Sequence, residues 1–150
     1  MVTGQYQRNN HVPPRLGVGI RLARSSEGLE LYRLYLASGK VPLPDVDWSR
    51  DVSPYWLVAE QGEQMVGCVQ LRPSKPIGMI ELLCLDPTLT AYQRARVFKH
   101  LVEAALLAIR QMGAQAVTFG IDQQYPTFAK IAVQHGAIQW YHEPTYLMRL

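Results

Sequence analysis

The sequence is poor in the features that would commit it to several common classes of protein. It holds only two cysteines in 150 residues, Cys68 and Cys84, and no Cys/His group at zinc-ligand spacing. Both cysteines fall in apolar, strand-like stretches, where a thiol behaves as a small buried hydrophobe rather than as half of a disulfide. No apolar run approaches the roughly 20 residues of a membrane-spanning helix. The opening MVTGQYQRNN lacks the apolar segment of a secretory signal. Internal repeats are also missing. Together these absences read as an intracellular, cytoplasmic chain with no membrane partner and no metal site.

Charge of one sign is scarce over most of the chain. Residues 1–24 carry Arg8, Arg15, Arg21 and Arg24 and no acid, whereas the rest holds eleven bases against twelve acids. The net +3 therefore belongs to the amino-terminal end, and no basic stripe interleaved with aromatics marks a nucleic-acid partner. What is present is apolar residue: 48% of the chain is hydrophobic, enough for one domain with a core.

Met1 to Val18, with Pro13-Pro14 and no periodicity, reads as an extended basic arm (1–18) before a single domain (19–150). Gly19 to Ala23 is a short strand, and Ser25 or Ser26 caps a helix that stops at Gly39. Lys40 to Pro54 is a long loop with Pro42, Pro44, Pro54, Asp45, Asp47 and Asp51, of the kind that often serves function, or else packs Trp48 on the core. Tyr55–Glu60 and Met65–Arg72 form a hairpin.

The organising stretch follows. Gly78 to Leu85 is apolar at nearly every position, as in a central strand covered on both faces. Thr90 with Gln93 three residues on is a capping-box pattern that starts a helix near Ala91. That helix is apolar on most of its surface, at Val97, Leu101, Ala104, Ala105, Ala108 and Met112 with Val102, Leu106 and Ile109. A narrow stripe of Lys99, His100, Glu103 and Arg110 is left for water, and Gly113 ends the helix. Ala116–Ile121 is a strand, Tyr125–His135 a helix closed by Gly136, and Ile138–Tyr141 and Thr145–Leu150 are two last strands. The order β-α-loop-β-β-β-α-β-α-β-β predicts an α/β (α+β) domain.

This order resembles the GNAT superfamily of acyl-CoA-dependent N-acetyltransferases over about residues 19–150. The resemblance rests on Leu83-Cys84-Leu85-Asp86-Pro87 before the long helix. It rests also on Tyr125-Pro126 through Gly136-Ala137, which falls into register with the Asn-Pro-x-x-x-x-x-Tyr-x-x-x-Gly-Phe segment of that superfamily. It implies a mixed, mostly antiparallel sheet of six to seven strands with helices on both faces. It also implies acetyl-CoA as donor, a primary amine on a small molecule or protein as acceptor, and donor contacts at Leu83, Cys84, Leu85, Gln93, Arg94 and Arg96. The superfamily's phosphate loop, Arg/Gln-x-x-Gly-x-Gly/Ala, keeps Gln93 but has Arg96 and Phe98 at the glycines, so the loop is degenerate. Guanidinium groups could grip phosphate, while their side chains obstruct the close backbone approach that glycine allows.

Glu81, on the strand leading to the donor position, is the candidate base, with Glu60 second. The tyrosine that usually protonates the leaving thiolate is Ala132 here, which leaves Tyr125 or Tyr141 to supply a hydroxyl. His100, His135 and His142 read as solvated or hydrogen-bonded structural residues, and His11 lies in the arm. Two functions follow. One is an N-acetyltransferase with the Lys40–Pro54 aspartates around a cationic acceptor. The other is a catalytically inactive GNAT-fold binding or structural protein, in the cytoplasm or, by analogy, a bacteriophage particle, assembling through the arm as a homo-oligomer or larger complex.

Overall fold

A computed structural model describes residues 17–40, 55–121 and 126–138. They divide between two compact units, one ending at Thr118 and one beginning at Phe119. The expected arm up to Leu16, the loop from Val41 to Pro54 with Trp48, and the final strands beyond Ile138 lie outside the described residues. So do Tyr125, Tyr141, His142 and Glu143.

The larger unit is built on a sheet of order β1-β2-β3-β4-β5, of which five strands are described: β1 Val18–Leu22, β2 Trp56–Gln61, β3 Gln64–Arg72, β4 Ile77–Leu85 and β5 Ala116–Phe119. The pairs β1/β2, β2/β3 and β3/β4 are antiparallel. Helix α1, Gly28–Ala37, packs on one face through Leu31, Leu34 and Tyr35, together with Trp56, Val58, Met65, Cys68 and Cys84. Helix α2, Ala91–Gln111, packs on the other through Val97, Leu101, Ala105 and Ile109, against Leu57, Val66, Val69, Leu71 and Ile80. This is the mixed, mostly antiparallel α/β architecture with helices on both faces that the sequence implies. Val18, assigned above to the arm, opens β1.

Close contact between α2 and the sheet depends on a missing side chain. A Cβ on Gly67 would stand 2.9 Å from both Leu101 Cδ1 and Val97 Cγ1, so only glycine lets the helix sit this near β3. Helix α2 ends in paired Schellman bonds, from Ala114 N to the Ile109 carbonyl and from Gly113 N to that of Arg110, with Gly113 at φ 98°. Its apolar surface is narrower in use than the sequence suggests. Leu106, Leu107 and Met112 are exposed, because a single helix buries only the stripe that faces the sheet.

The entry to α1 also differs from expectation. Neither serine caps it. A 3-10 turn, Ser25–Glu27, precedes the helix, and the Glu27 carboxylate accepts from the Arg24 amide at 2.7 Å. A carboxylate held at 2.9 and 2.6 Å by Arg21 is already fixed beside that amide, and this displaces the weaker serine cap.

In the smaller unit, α3 spans Pro126–Gln134 and closes on Gly136, φ 91°, with Ala137 N donating to the Ala132 carbonyl. Among the described residues no helix is long and apolar enough to cross a membrane. No cluster of three His, Cys, Asp or Glu able to hold a metal occurs among them either.

Candidate functional site

Strand β4 does not run straight. Its register with β3 passes from Gln70↔Glu81 to Cys68↔Cys84, so Val69 alone faces both Leu82 and Leu83. That is a β-bulge, and Leu82 takes it up with φ 48°, a left-handed backbone that a branched side chain seldom adopts. The bulge reverses the alternation of faces. Gly78 and Ile80 lie against the α2 side before it, and Leu83 and Leu85 do so after it. Leu82 and Cys84 join the α1-side cluster, and alternation from Ile80 puts Glu81 on that side too.

The neighbour beyond β4 is short. Gln115 N and Ala116 N both donate to the Pro76 carbonyl, at 2.8 and 3.2 Å, so β5 starts level with the start of β4 and runs alongside it in the same direction. β5 has four residues against nine in β4. At about 3.3 Å per residue it ends near Ile80 or Glu81. From Leu82 to Leu85 the outer main chain of β4 has no partner strand among the described residues. β4 is also less covered than expected: Gly78, Ile80 and Cys84 are buried, but Met79 is exposed.

Glu81 is half-buried and its Oε2 lies 2.6 Å from Arg72 Nε, a diagonal cross-strand pair. Directly opposite stands Gln70, whose buried Oε1 has no hydrogen-bond partner. Glu60, the second candidate base, is committed elsewhere, at 3.0 Å from Arg21 Nε in the Arg21–Glu27–Glu60 cluster at the β1 edge. Cys68 and Cys84 are buried, free and opposite one another, and contact with Cys84, with burial added, pushes the Cys68 thiol up.

Between β4 and α2 the chain turns on itself. Asp86 N donates to the Val66 carbonyl, and Asp86 Oδ1 accepts from Thr88 N at 2.9 Å and Thr88 Oγ1 at 2.7 Å. The Leu89 amide donates to the Asp86 carbonyl. The expected capping box is formed: Gln93 N donates to Thr90 Oγ1 at 3.2 Å, and Thr90 N donates to Gln93 Oε1 at 2.9 Å. Arg94 N donates to the Thr90 carbonyl, and Arg94 Nη1 donates to the carbonyls of Leu89 at 2.9 Å and Pro87 at 3.3 Å. Gln93 and Arg94 are thus brought to the loop, with these polar groups engaged inside it. Arg96 is exposed in the second turn of the helix, and the Arg96 and Phe98 amides belong to the helical ladder.

Compared by sequence, the chain matches no protein-family profile and no curated protein. Compared by structure, it aligns with Rv2747 of Mycobacterium tuberculosis, solved with CoA and NLQ, at TM-score 0.64 and 21% identity, covering 85% of this chain and 76% of that one. A GNAT-family acetyltransferase of Staphylococcus aureus Mu50 aligns at TM-score 0.67 and 14% identity over 89% of this chain and 94% of the other. The chain has the GNAT acetyltransferase fold. An aminoglycoside acetyltransferase from an uncultured soil metagenomic sample shares that fold at TM-score 0.67 and 18% identity, over 88% and 97% of the two chains. Leu83, Cys84 and Leu85 occupy the half of β4 that has no partner strand among the described residues, and Glu81 immediately precedes the bulge. The bulge itself left no trace in the sequence, because IELLCL is apolar on both faces.

Proposed function

We propose that the protein is an N-acyltransferase that passes an acyl group from a pantetheine thioester to a primary amine. The observation that carries this reading is the carboxyl-terminal half of β4, where main chain without a partner strand among the described residues adjoins a bulge and a carboxylate. A pantetheine arm has two amide groups, and an exposed strand edge pairs with extended amides by main-chain hydrogen bonds. Residues Leu83 to Leu85 supply that edge through backbone groups, so side-chain identity there is unconstrained.

Glu81 is the base in this reading. The acceptor enters as an ammonium, gives a proton to the carboxylate, and the neutral nitrogen attacks the thioester carbonyl carbon as the C–S bond breaks. For the carboxylate to take the proton it must loosen its bond to Arg72, so Arg72 holds it until the acceptor arrives. The departing thiolate needs a proton, and Ala132 has none to give. Tyr125 is the hydroxyl assigned to that role, and it regains its proton from the acylated nitrogen, which loses one to become the neutral amide. The acceptor is a small-molecule or protein amine.

The test is thiol release from acetyl-CoA across a panel of primary amines, with Glu81→Gln as control. Release that falls about 10²-fold or more in the variant supports the base assignment. Unchanged release removes it. A second reading, a GNAT-fold binding protein without catalysis, is favoured by the self-bonded loop before α2. An absence of both thiol release and thermal stabilisation by acetyl-CoA would establish it, since a ligand at 100 times its Kd stabilises by about 2.7 kcal/mol.

A further inference from the structure

The acyl donor of a GNAT fold has two ends, a pantetheine arm and an adenosine nucleotide joined through a diphosphate. The structure treats the places for these two ends in opposite ways. A diphosphate needs free N–H groups at a helix start and no competing anion. Here the amides of Thr88, Leu89, Thr90, Gln93 and Arg94 are all bonded within the loop and first turn, which leaves only those of Ala91 and Tyr92 open at the start of α2. Helix α2 begins two residues before Gln93, so the amides at Arg96 and Phe98 have passed into the helical ladder. The nearest carboxylate, Asp86, stands in the same turn, its Oδ2 accepting from Gln64 Nε2 at 3.3 Å. The Arg94 guanidinium, the charge best placed to offset it, is turned onto the carbonyls of Pro87 and Leu89. Two open amides with a carboxylate in the same turn, and no glycine to let the ligand approach, are a poor fit for a diphosphate.

We infer that this protein recognises its donor through the pantetheine arm alone, so that a thioester on the phosphopantetheine of a carrier protein serves as well as one on CoA. This rests on the acyl-transfer reading above. The shared chemistry is the pantetheine thioester, which Leu82–Leu85 can pair with, and the adenosine diphosphate half adds nothing to its binding. Breaking open the loop to free its amides would sacrifice the Thr90–Gln93 box, the Asp86–Thr88 turn and both Arg94 bonds, which makes a ligand-induced cradle unfavourable.

The experiment is calorimetric titration of the full chain with three ligands: CoA, 4′-phosphopantetheine and adenosine 3′,5′-bisphosphate. The expected result is that CoA and phosphopantetheine bind within about threefold of each other and the bisphosphate does not bind at millimolar concentration. Two retained bonds to a diphosphate would instead make CoA about 100-fold tighter, and that ratio overturns the inference while leaving the acyl-transfer reading intact. Failure of both CoA and phosphopantetheine to bind overturns the two together. Thiol release from an acetyl-loaded acyl carrier protein separates the sources. Turnover within tenfold of acetyl-CoA supports the carrier, and no turnover alongside binding of free phosphopantetheine overturns that half of the proposal.

Discussion

Residues 82–85 and residues 86–94 are neighbours in the chain and opposites in how they spend their main chain. The first stretch holds a bulge at φ 48° and faces a strand too short to reach it. The second satisfies five of its amides and four of its carbonyls from within. An unpaired polar backbone is costly to keep and useful to a ligand, whereas a paired one is stable and unavailable. The contrast therefore separates a stretch whose main chain an extended amide could pair with from one that is bonded within itself. Sharing a fold with CoA-binding acetyltransferases fixes where these stretches lie, not how each is used.

The comparison can be broken most forcefully at Glu81. Glu81→Gln is expected to lower thiol release by about 10²–10⁴-fold while leaving the melting temperature nearly unchanged. Equal losses of rate and stability would make the Arg72 pair merely structural. Next comes the bulge. Proline fixes φ near −65° and cannot occupy Leu82's conformation, so Leu82→Pro should cost roughly 3 kcal/mol in urea unfolding. A milder change at the joint, Thr90→Ala, removes one cap and should cost about 1 kcal/mol. It should leave the affinity for phosphopantetheine within twofold, because the loop is not where the arm binds. A drop in phosphopantetheine affinity matching the loss of stability would merge the two stretches into one site.

The smallest effect serves as a control far from both. Hydrogen bonds from Arg21 hold the Glu27 carboxyl down to about 2 against an ordinary 4.5; the Arg24 amide helps and burial opposes. Its folded pKa is depressed, so its contribution is present above about 4.5 and lost as pH falls toward 2. Wild type should lose up to about 1 kcal/mol more than Glu27→Gln between those limits, as measured by denaturation at each pH. Donor binding should not follow that change.

Much of this fold was legible because its punctuation is local. The Thr90–Gln93 box, Gly113 and Gly136 each act within a few residues and were read in place. Glu81 stood out as the single charge in an apolar strand. The bulge was hidden because an apolar residue on either face of β4 gives the same pattern. The shortness of β5 was hidden because its continuation, Gly120-Ile121, is no less strand-like in composition. The Glu27 cap was missed for a different reason: its strength comes from Arg21 on another element, which no local window contains.

One residue in β4 also limits how the chain can change. Flattening the bulge with Leu82 kept would turn Cys84 toward α2 and Leu85 toward α1, swapping a small thiol and a large side chain between the two cores. Deleting Leu82 would instead restore plain alternation with both left where they are. Gly67, directly across from Leu85, has been kept bare to suit the present arrangement. Shedding the kink by substitution would therefore require concerted repacking above and below the sheet, and loss of the one extra residue is the route that spares both cores.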